Sequence, residues 1–372
     1  MKIAYFTTAQ DIEEYKSFCI DRNRNANTSN QVFHSNLIEC LSLTNEIEVY
    51  SCRTDLKQEN KEFSKKINNV TWHYLKTKKS SFSNLTTQVS AIKEIKSDCK
   101  VAFVDTISPR CVMVAKAFCK KNKIPLIGIV TDNPYNITNV KKFHALLTLR
   151  TAKKCDGYIC LTEALNTLFN KKKKPYILTK GLSKNEVSTK EAPVCYPYFF
   201  YAGTLLKKYG ILNLIKAFKK FKDKPVKLVI AGHHRNPEFE NAIKDNENII
   251  FLGCVDNDTV LQYESHSIAN INPRPYIAKI DKYSVPSKVI EYISKEPVII
   301  SGFSSELKDM LMNSILWVDE NNSLLDRMKE AYGIDEFRRK AMFGENKYHY
   351  QNEFSFEANN KKIDNFILDI LS

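Results

Sequence analysis

The chain has 372 residues, 43% hydrophobic and 11% aromatic, which supports real cores and two domains rather than one. No run approaches the ~18 apolar residues that a membrane-spanning helix needs. A formal net charge of +14 points to an anionic partner: nucleotide phosphates, nucleic acid or an anionic membrane surface.

The opening KIAYFTT reads as a buried first strand, not a signal peptide, so the expected location is cytoplasmic. NQVFHSNLIECLSL has apolar residues at helical spacing, and EIEVYSC comes next as a strand. TWHYL, VAFVD, PLIGIVT and GYICLT are further short apolar runs. Between them SPRCVMVAKAFCKKN, VKKFHALLTLRTAKKC and EALNTLFNKK read as helices, and PYILTKG closes the series. This alternation predicts an α/β domain with a mostly parallel sheet over residues 1–181.

Residues 182–196, LSKNEVSTKEAPVCY, lack periodicity and read as a linker. A second alternation fills 197–350. Its strands are YFFYAGTL, VKLVIAG, NIIFLGCV, SIANINP and PVIIS. Its helices are ILNLIKAFKKF, FENAIKD, DTVLQYESH, PSKVIEYISK and LLDRMKEAYG. The βαβ rhythm is that of a nucleotide-binding half-sheet. The expected architecture is α/β, with two Rossmann-like domains facing each other across a cleft. Residues 351–372 end in an amphipathic helix expected to pack back on the first domain.

The ten cysteines form no CxxC pair, and several sit inside apolar runs, so reduced core thiols are expected rather than zinc ligands. Zinc-finger spacing, an RNP-like aromatic pattern and a basic recognition helix are all missing, which argues against nucleic acid. GxGxxG and GxxxxGK[ST] are missing too, against a nicotinamide dehydrogenase or P-loop ATPase.

Chemistry concentrates in two loops. Residues 271–300 read INPRPYIAKIDKYSVPSKVIEYISKEPVII. A strand ends in a polar loop and a helix begins near Ser287. Backbone N–H groups at such a start, with Lys288 and Arg274 beside them, suit a phosphate. Glu291 falls one turn further on the same face as Ser287. The other loop comes after YFFYAGT, where Gly203 ends a strand, Gly210 precedes a helix, and Thr204, Lys207 and Lys208 lie between. In an open parallel sheet both loops belong at the ligand-binding edge.

Asp256 and Asp258 of the DND run read as helix caps in preference to a metal site. His233 and His234 read as a surface turn, and His34 as a structural histidine. Asp105 and Asp132 end strands, where a site residue or a cap is equally expected.

The stretches YAGTLLKKYGILNLIKAF, VKLVIAG, NIIFLGCV, INPRP and YSVPSKVIEYISKEPVIIS, in that order, resemble the nucleotide-sugar-binding domain of GT-B glycosyltransferases. The likeness is greatest to family 4 enzymes of bacterial surface-polysaccharide synthesis. It covers about residues 198–320, and DGYICLTEALN extends it weakly into the first domain.

The resemblance implies transfer of a sugar from a nucleotide diphosphate sugar to an acceptor hydroxyl, with retention, and without a metal or other cofactor. It makes Glu291 the ribose ligand, the second carboxylate of an E-x7-E motif. Tyr283 stands where the first carboxylate belongs. Thr204 replaces the family's arginine and Tyr209 its lysine, so Lys208 and Arg274 are the expected diphosphate clamp. Asp132 is the expected contact to sugar or acceptor. A saccharide or lipid-linked acceptor is implied, and the basic runs, KKKK at 171–174 among them, suit a peripheral position on an anionic membrane surface. A non-catalytic sugar-nucleotide or polysaccharide-binding protein, or a sugar-nucleotide epimerase, are the alternatives on the same fold.

Overall fold

The structure, a computed structural model, describes residues 1–20, 29–53, 62–78, 80–137, 140–222, 224–233 and 236–372. His234 lies outside them. The chain divides into two compact units: Met1–Leu182 with Phe356–Ser372, and Ser183–Ser355.

The first unit runs β1 (Lys2–Thr7), α1 (Ile12–Ile20), α2 (Ser29–Leu41), β2 (Glu46–Ser51), β3 (Phe63–Ile67), β4 (Val70–Tyr74) and α3 (Ser81–Glu94). It continues with β5 (Val101–Asp105), α4 (Pro109–Asn122), β6 (Leu126–Val130), α5 (Lys142–Ala152), β7 (Gly157–Cys160), α6 (Glu163–Phe169) and β8 (Tyr176–Leu178). The sheet order is β3-β4-β2-β1-β5-β6-β7-β8. Its pairings are parallel except β3 with β4. That hairpin turns at Asn68, whose φ of 52° is left-handed, a conformation asparagine tolerates.

The second unit runs β9 (Tyr198–Thr204), a 3-10 turn at Lys207–Tyr209, α7 (Ile211–Phe218), β10 (Lys227–His233), α8 (Pro237–Ile243), β11 (Ile249–Gly253) and α9 (Asn257–His266). Then come β12 (Ala269–Asn272), α10 (Ala278–Asp281), α11 (Ser287–Tyr292), β13 (Val298–Gly302), β14 (Leu316–Val318), α12 (Leu324–Gly333) and α13 (Glu336–His349). Every pairing in the order β11-β10-β9-β12-β13-β14 is parallel. α7 buries Ile211, Leu214, Ile215 and Phe218, a stripe at helical spacing that covers one sheet face.

Of residues 182–196, expected as a linker, Leu182 belongs to the first unit and 183–196 fall within the second. Ser188 N–H donates to Ser265 Oγ at 3.1 Å, and Gln262 Nε2 to Glu191 O at 2.8 Å, so the segment lies along α9. The final helix, α14 (Phe356–Leu371), belongs to the first unit. Its Phe356, Ile363, Phe366 and Ile367 share a core with Ile3, Leu37 and Ile127.

The ten cysteines carry no disulfide, and eight are buried; Cys195 and Cys254 are exposed. Asp256 caps α9, its Oδ1 accepting the Thr259 N–H at 2.8 Å.

Candidate active site

Strand order reverses once in each sheet. In the second unit the reversal lies between β9 and β12, and a ligand crevice opens outside the carboxyl ends of strands at such a point. The two loops that carry the sequence motifs lie there. Gly203 and Thr204 close β9. Thr204 Oγ1 pairs with His233 Nε2 at 3.0 Å, and Tyr201 OH donates to the Thr204 carbonyl at 2.9 Å. Lys208 stands in the next turn, its Nζ 5.1 Å from the Tyr209 ring centroid.

The two loops are locked together by backbone. Gly210 has φ +84°, and a Cβ there would lie 1.9 Å from the Pro273 carbonyl oxygen. A Cβ on Gly302, at the end of β13, would meet the Arg274 carbonyl oxygen at the same distance. Only glycine permits both approaches, and the Pro273–Arg274 segment is held between them.

Arg274 is not a free cation. Its Nη2 donates to Asp281 Oδ1 at 3.0 Å and Nη1 to Ser284 Oγ at 3.4 Å. The second oxygen of Asp281 accepts the Ile277 N–H. The guanidinium lines a small pocket with Asn272, Asp281, Ser284, Pro286 and Ser304. Asp281, a carboxylate with no motif to mark it in sequence, therefore holds the group expected to clamp a diphosphate. Tyr283 sits between α10 and α11, half-buried, with Lys282 Nζ 5.0 Å from its ring.

α11 is shorter than expected, six residues, with Pro286 at its cap position and no capping side chain. Ser287 is exposed. The chemistry of this helix therefore rests on its charged side chains more than on its short dipole. Lys288 Nζ donates to Glu291 Oε2 at 2.7 Å and stands 3.9 Å from Glu264 Oε1, a carboxylate from α9. Lys295 Nζ lies 3.3 Å from Glu264 Oε2 and donates to the Glu291 carbonyl at 2.8 Å. Two lysines and two glutamates thus alternate. Burial pulls the Lys288 pKa down, but Glu291 and Glu264 outweigh it and hold the amine protonated. Burial pushes Glu264 up, with Lys288 and Lys295 opposing. Glu264 and Lys295 carry no motif in sequence; their side chains, 2% and 3% exposed, are recognisable only once α9 and α11 are packed.

The second unit therefore gathers Gly203, Thr204, Lys208, Arg274, Tyr283, Ser287, Lys288 and Glu291 on the loops and helix around one sheet edge. Asp132 belongs to the first unit, exposed just beyond the end of β6. That unit's strand order reverses between β1 and β5, so its own carboxyl edge carries Asp105. Asp105 Oδ2 is 3.5 Å from His34 Nε2, and His34 Nδ1 is 2.6 Å from Tyr5 OH.

Two mainly parallel α/β units in one chain, each with a single order reversal, make up the GT-B fold. Sucrose-phosphate synthase from Thermosynechococcus elongatus matches with TM-score 0.73 at 13% identity, over 100% of this chain and 99% of that one. A glycosyltransferase from Rickettsia africae matches with TM-score 0.70 at 14% identity, over 100% and 98%. The E. coli trehalose-6-phosphate structure bound with UDP-2-fluoro glucose gives 0.66 at 10% identity, over 100% and 99%. No curated protein matches the chain in sequence. Residues 184–349 match the family described as Glycosyl transferases group 1. That match lies within the second unit, and the likeness to the solved structures extends over the fold of both units.

Proposed function

We propose that the protein transfers a hexose from a nucleotide diphosphate sugar to an acceptor hydroxyl, with retention at the anomeric carbon, in polysaccharide or glycolipid synthesis. The observation that carries this reading is the Lys288–Glu291 pair, at 2.7 Å, on the helix after the β12 loop of the group 1 domain. Glu291 takes the ribose hydroxyls. The bond between the anomeric carbon and the diphosphate oxygen breaks, and negative charge grows on the leaving nucleoside diphosphate. Lys208 and Arg274 stabilise that charge, with Gly203, Thr204, Ser287 and Lys288 lining the donor position. Arg274 serves through a guanidinium already oriented by Asp281. The acceptor oxygen closes the new glycosidic bond and loses its proton, and Asp132 contacts the sugar or acceptor. No resident metal or cofactor is assigned a role.

The test is release of nucleoside diphosphate from a panel of UDP-, GDP-, ADP- and CDP-sugars, with Glu291→Ala beside the wild type. Turnover with one donor and its loss in the variant by ~10–100-fold are expected, the worth of a hydrogen bond to a charged group. Binding without turnover for every donor would instead favour a non-catalytic sugar-nucleotide-binding protein.

We also propose a lipid-linked acceptor, met by a protein peripheral to the inner, anionic face of the cytoplasmic membrane. No described helix is long and apolar enough to cross a membrane. Support for contact with its surface comes from the first unit. Phe143 and Leu146 of α5 are exposed at 76% and 49%, with Lys141 and Lys142 beside them, an apolar wedge flanked by cations at its N-terminal end. Lys171 to Lys173 are exposed too, but Lys174 turns inward and donates to the Cys155 carbonyl.

A further inference from the structure

The lysine–glutamate cluster behind Glu291 contains an inconsistency that points to a role for Glu264. Glu291 is the proposed ligand of the ribose hydroxyls, yet its Oε2 accepts Lys288 at 2.7 Å. A carboxylate held by an ammonium presents less of itself to a hydroxyl. Meanwhile Glu264 Oε1 is buried and has no hydrogen-bond partner, although its other oxygen lies 3.3 Å from Lys295. A buried carboxylate oxygen without a donor is costly. The donor nearest to satisfying it is Lys288, 3.9 Å away, too far for a hydrogen bond but within a small swing of a flexible side chain.

We propose that Glu264 is a positioning residue for the donor site: it receives Lys288 when Glu291 turns to the ribose hydroxyls. The proposal rests on the donor-site reading of Glu291. Charge balance supports it. Glu264 and Glu291 offset Lys288 and Lys295, so Lys288 can change partner without leaving any charge in the cluster uncompensated. Lys295 fixes the receiving carboxylate, because its Nζ also donates to the Glu291 carbonyl at 2.8 Å and ties α9 to α11. Without the Glu264 charge, two lysines face one carboxylate, and Lys288 stays on Glu291.

The test is ribose discrimination. Among UDP, GDP, ADP and CDP, the nucleoside diphosphate that binds most tightly is compared with its 2′-deoxy counterpart by calorimetry. The wild type is expected to prefer the ribonucleotide by ~10-fold or more, since a hydrogen bond between a hydroxyl and a carboxylate is at stake. Glu264→Gln should fold, retain binding, and lose most of that preference. Adding Lys288→Gln to Glu264→Gln should restore the preference while weakening overall affinity, because nothing then competes for Glu291. A purely structural role for Glu264 predicts no such rescue. If Glu264→Gln fails to fold, Lys288→Gln alone decides: it keeps the preference here, and its loss would overturn the proposal. An unchanged preference in folded Glu264→Gln overturns it as well. In that case, loss of the preference in Glu291→Ala would leave the donor-site reading standing. A wild type that binds none of the four nucleotides removes both.

Discussion

Asp105 shows how a single buried side chain ties stability to pH in this protein. Burial pushes its carboxyl pKa up, but His34, the Ile107 N–H and Asn30 together hold it below the usual 3.8. The Ile107 bond is 3.0 Å. A folded-state pKa below the unfolded one means that the carboxylate stabilises the fold above about pH 4 and loses that contribution as pH falls through the folded value. Asp105→Asn, which removes the carboxylate that accepts the Ile107 N–H and faces His34, is expected to cost ~1–3 kcal/mol at pH 7. The difference from wild type should shrink by pH 3, as urea unfolding at the two pH values would measure; a difference independent of pH would contradict the argument. Single residues also mark where sequence reading ends. Glu291 and Lys288 are legible because they sit in one short run with a strand before and after. Asp281 and Glu264 are not, because their meaning lies in a partner that only folding supplies. In sequence Arg274 is a cation available to phosphate; in the fold it is a cation already bonded to Asp281.

Helices and strands with a buried, periodic face are readable, and those without are not. The parallel strands of both sheets announce themselves as apolar runs, β14 (LWV) being a short one, since parallel strands are covered on both faces. β3 (FSKKI) is almost wholly exposed and has no apolar run to betray it. The same holds for α1, α3 and α13, whose polar or hydroxyl-rich sequences lack a continuous stripe; α3 starts instead on a Ser80 cap accepting the Ser83 N–H. α5 is readable as a helix, but not as one that leaves Phe143 and Leu146 to solvent while burying Ala145 and Thr148. That inversion is the element-level basis of the membrane proposal. The protein is expected to float with anionic phosphatidylglycerol vesicles at low salt and not with neutral phosphatidylcholine ones. Phe143→Asp with Leu146→Asp should abolish flotation without lowering the thermal midpoint, because both side chains face solvent. Wild type that stays at the bottom of the gradient with anionic vesicles would sink the proposal and leave a water-soluble saccharide as the acceptor.

At the scale of the whole molecule, chain order and structural unit part company at the C-terminus. The group 1 match ends at residue 349, and the compact unit containing it ends at Ser355. The last helix, α14, completes the other unit. The sequence shows α14 as an amphipathic helix, and packing supplies the particular contacts: Asn360 Nδ2 donates to the Cys40 carbonyl at 2.7 Å, and Phe356, Ile363, Phe366 and Ile367 are buried in the first core. A fully buried side chain of this kind contributes ~1.5–3 kcal/mol, so the four together are worth roughly 6–12 kcal/mol, the size of a whole domain's net stability. Truncation after Ser355 is therefore expected to unfold the first unit, although every one of its β-strands is still encoded. The second unit keeps its sheet, its glycine-locked loops and the Lys288–Glu291 pair, none of which involves α14. Limited proteolysis of the truncated chain should degrade residues 1–182 and leave a resistant fragment near 183–355 that still binds the nucleoside diphosphate chosen by the full chain. Survival of both units after truncation would mean that the first core closes without α14; loss of both would mean that the second unit depends on the first for its own stability.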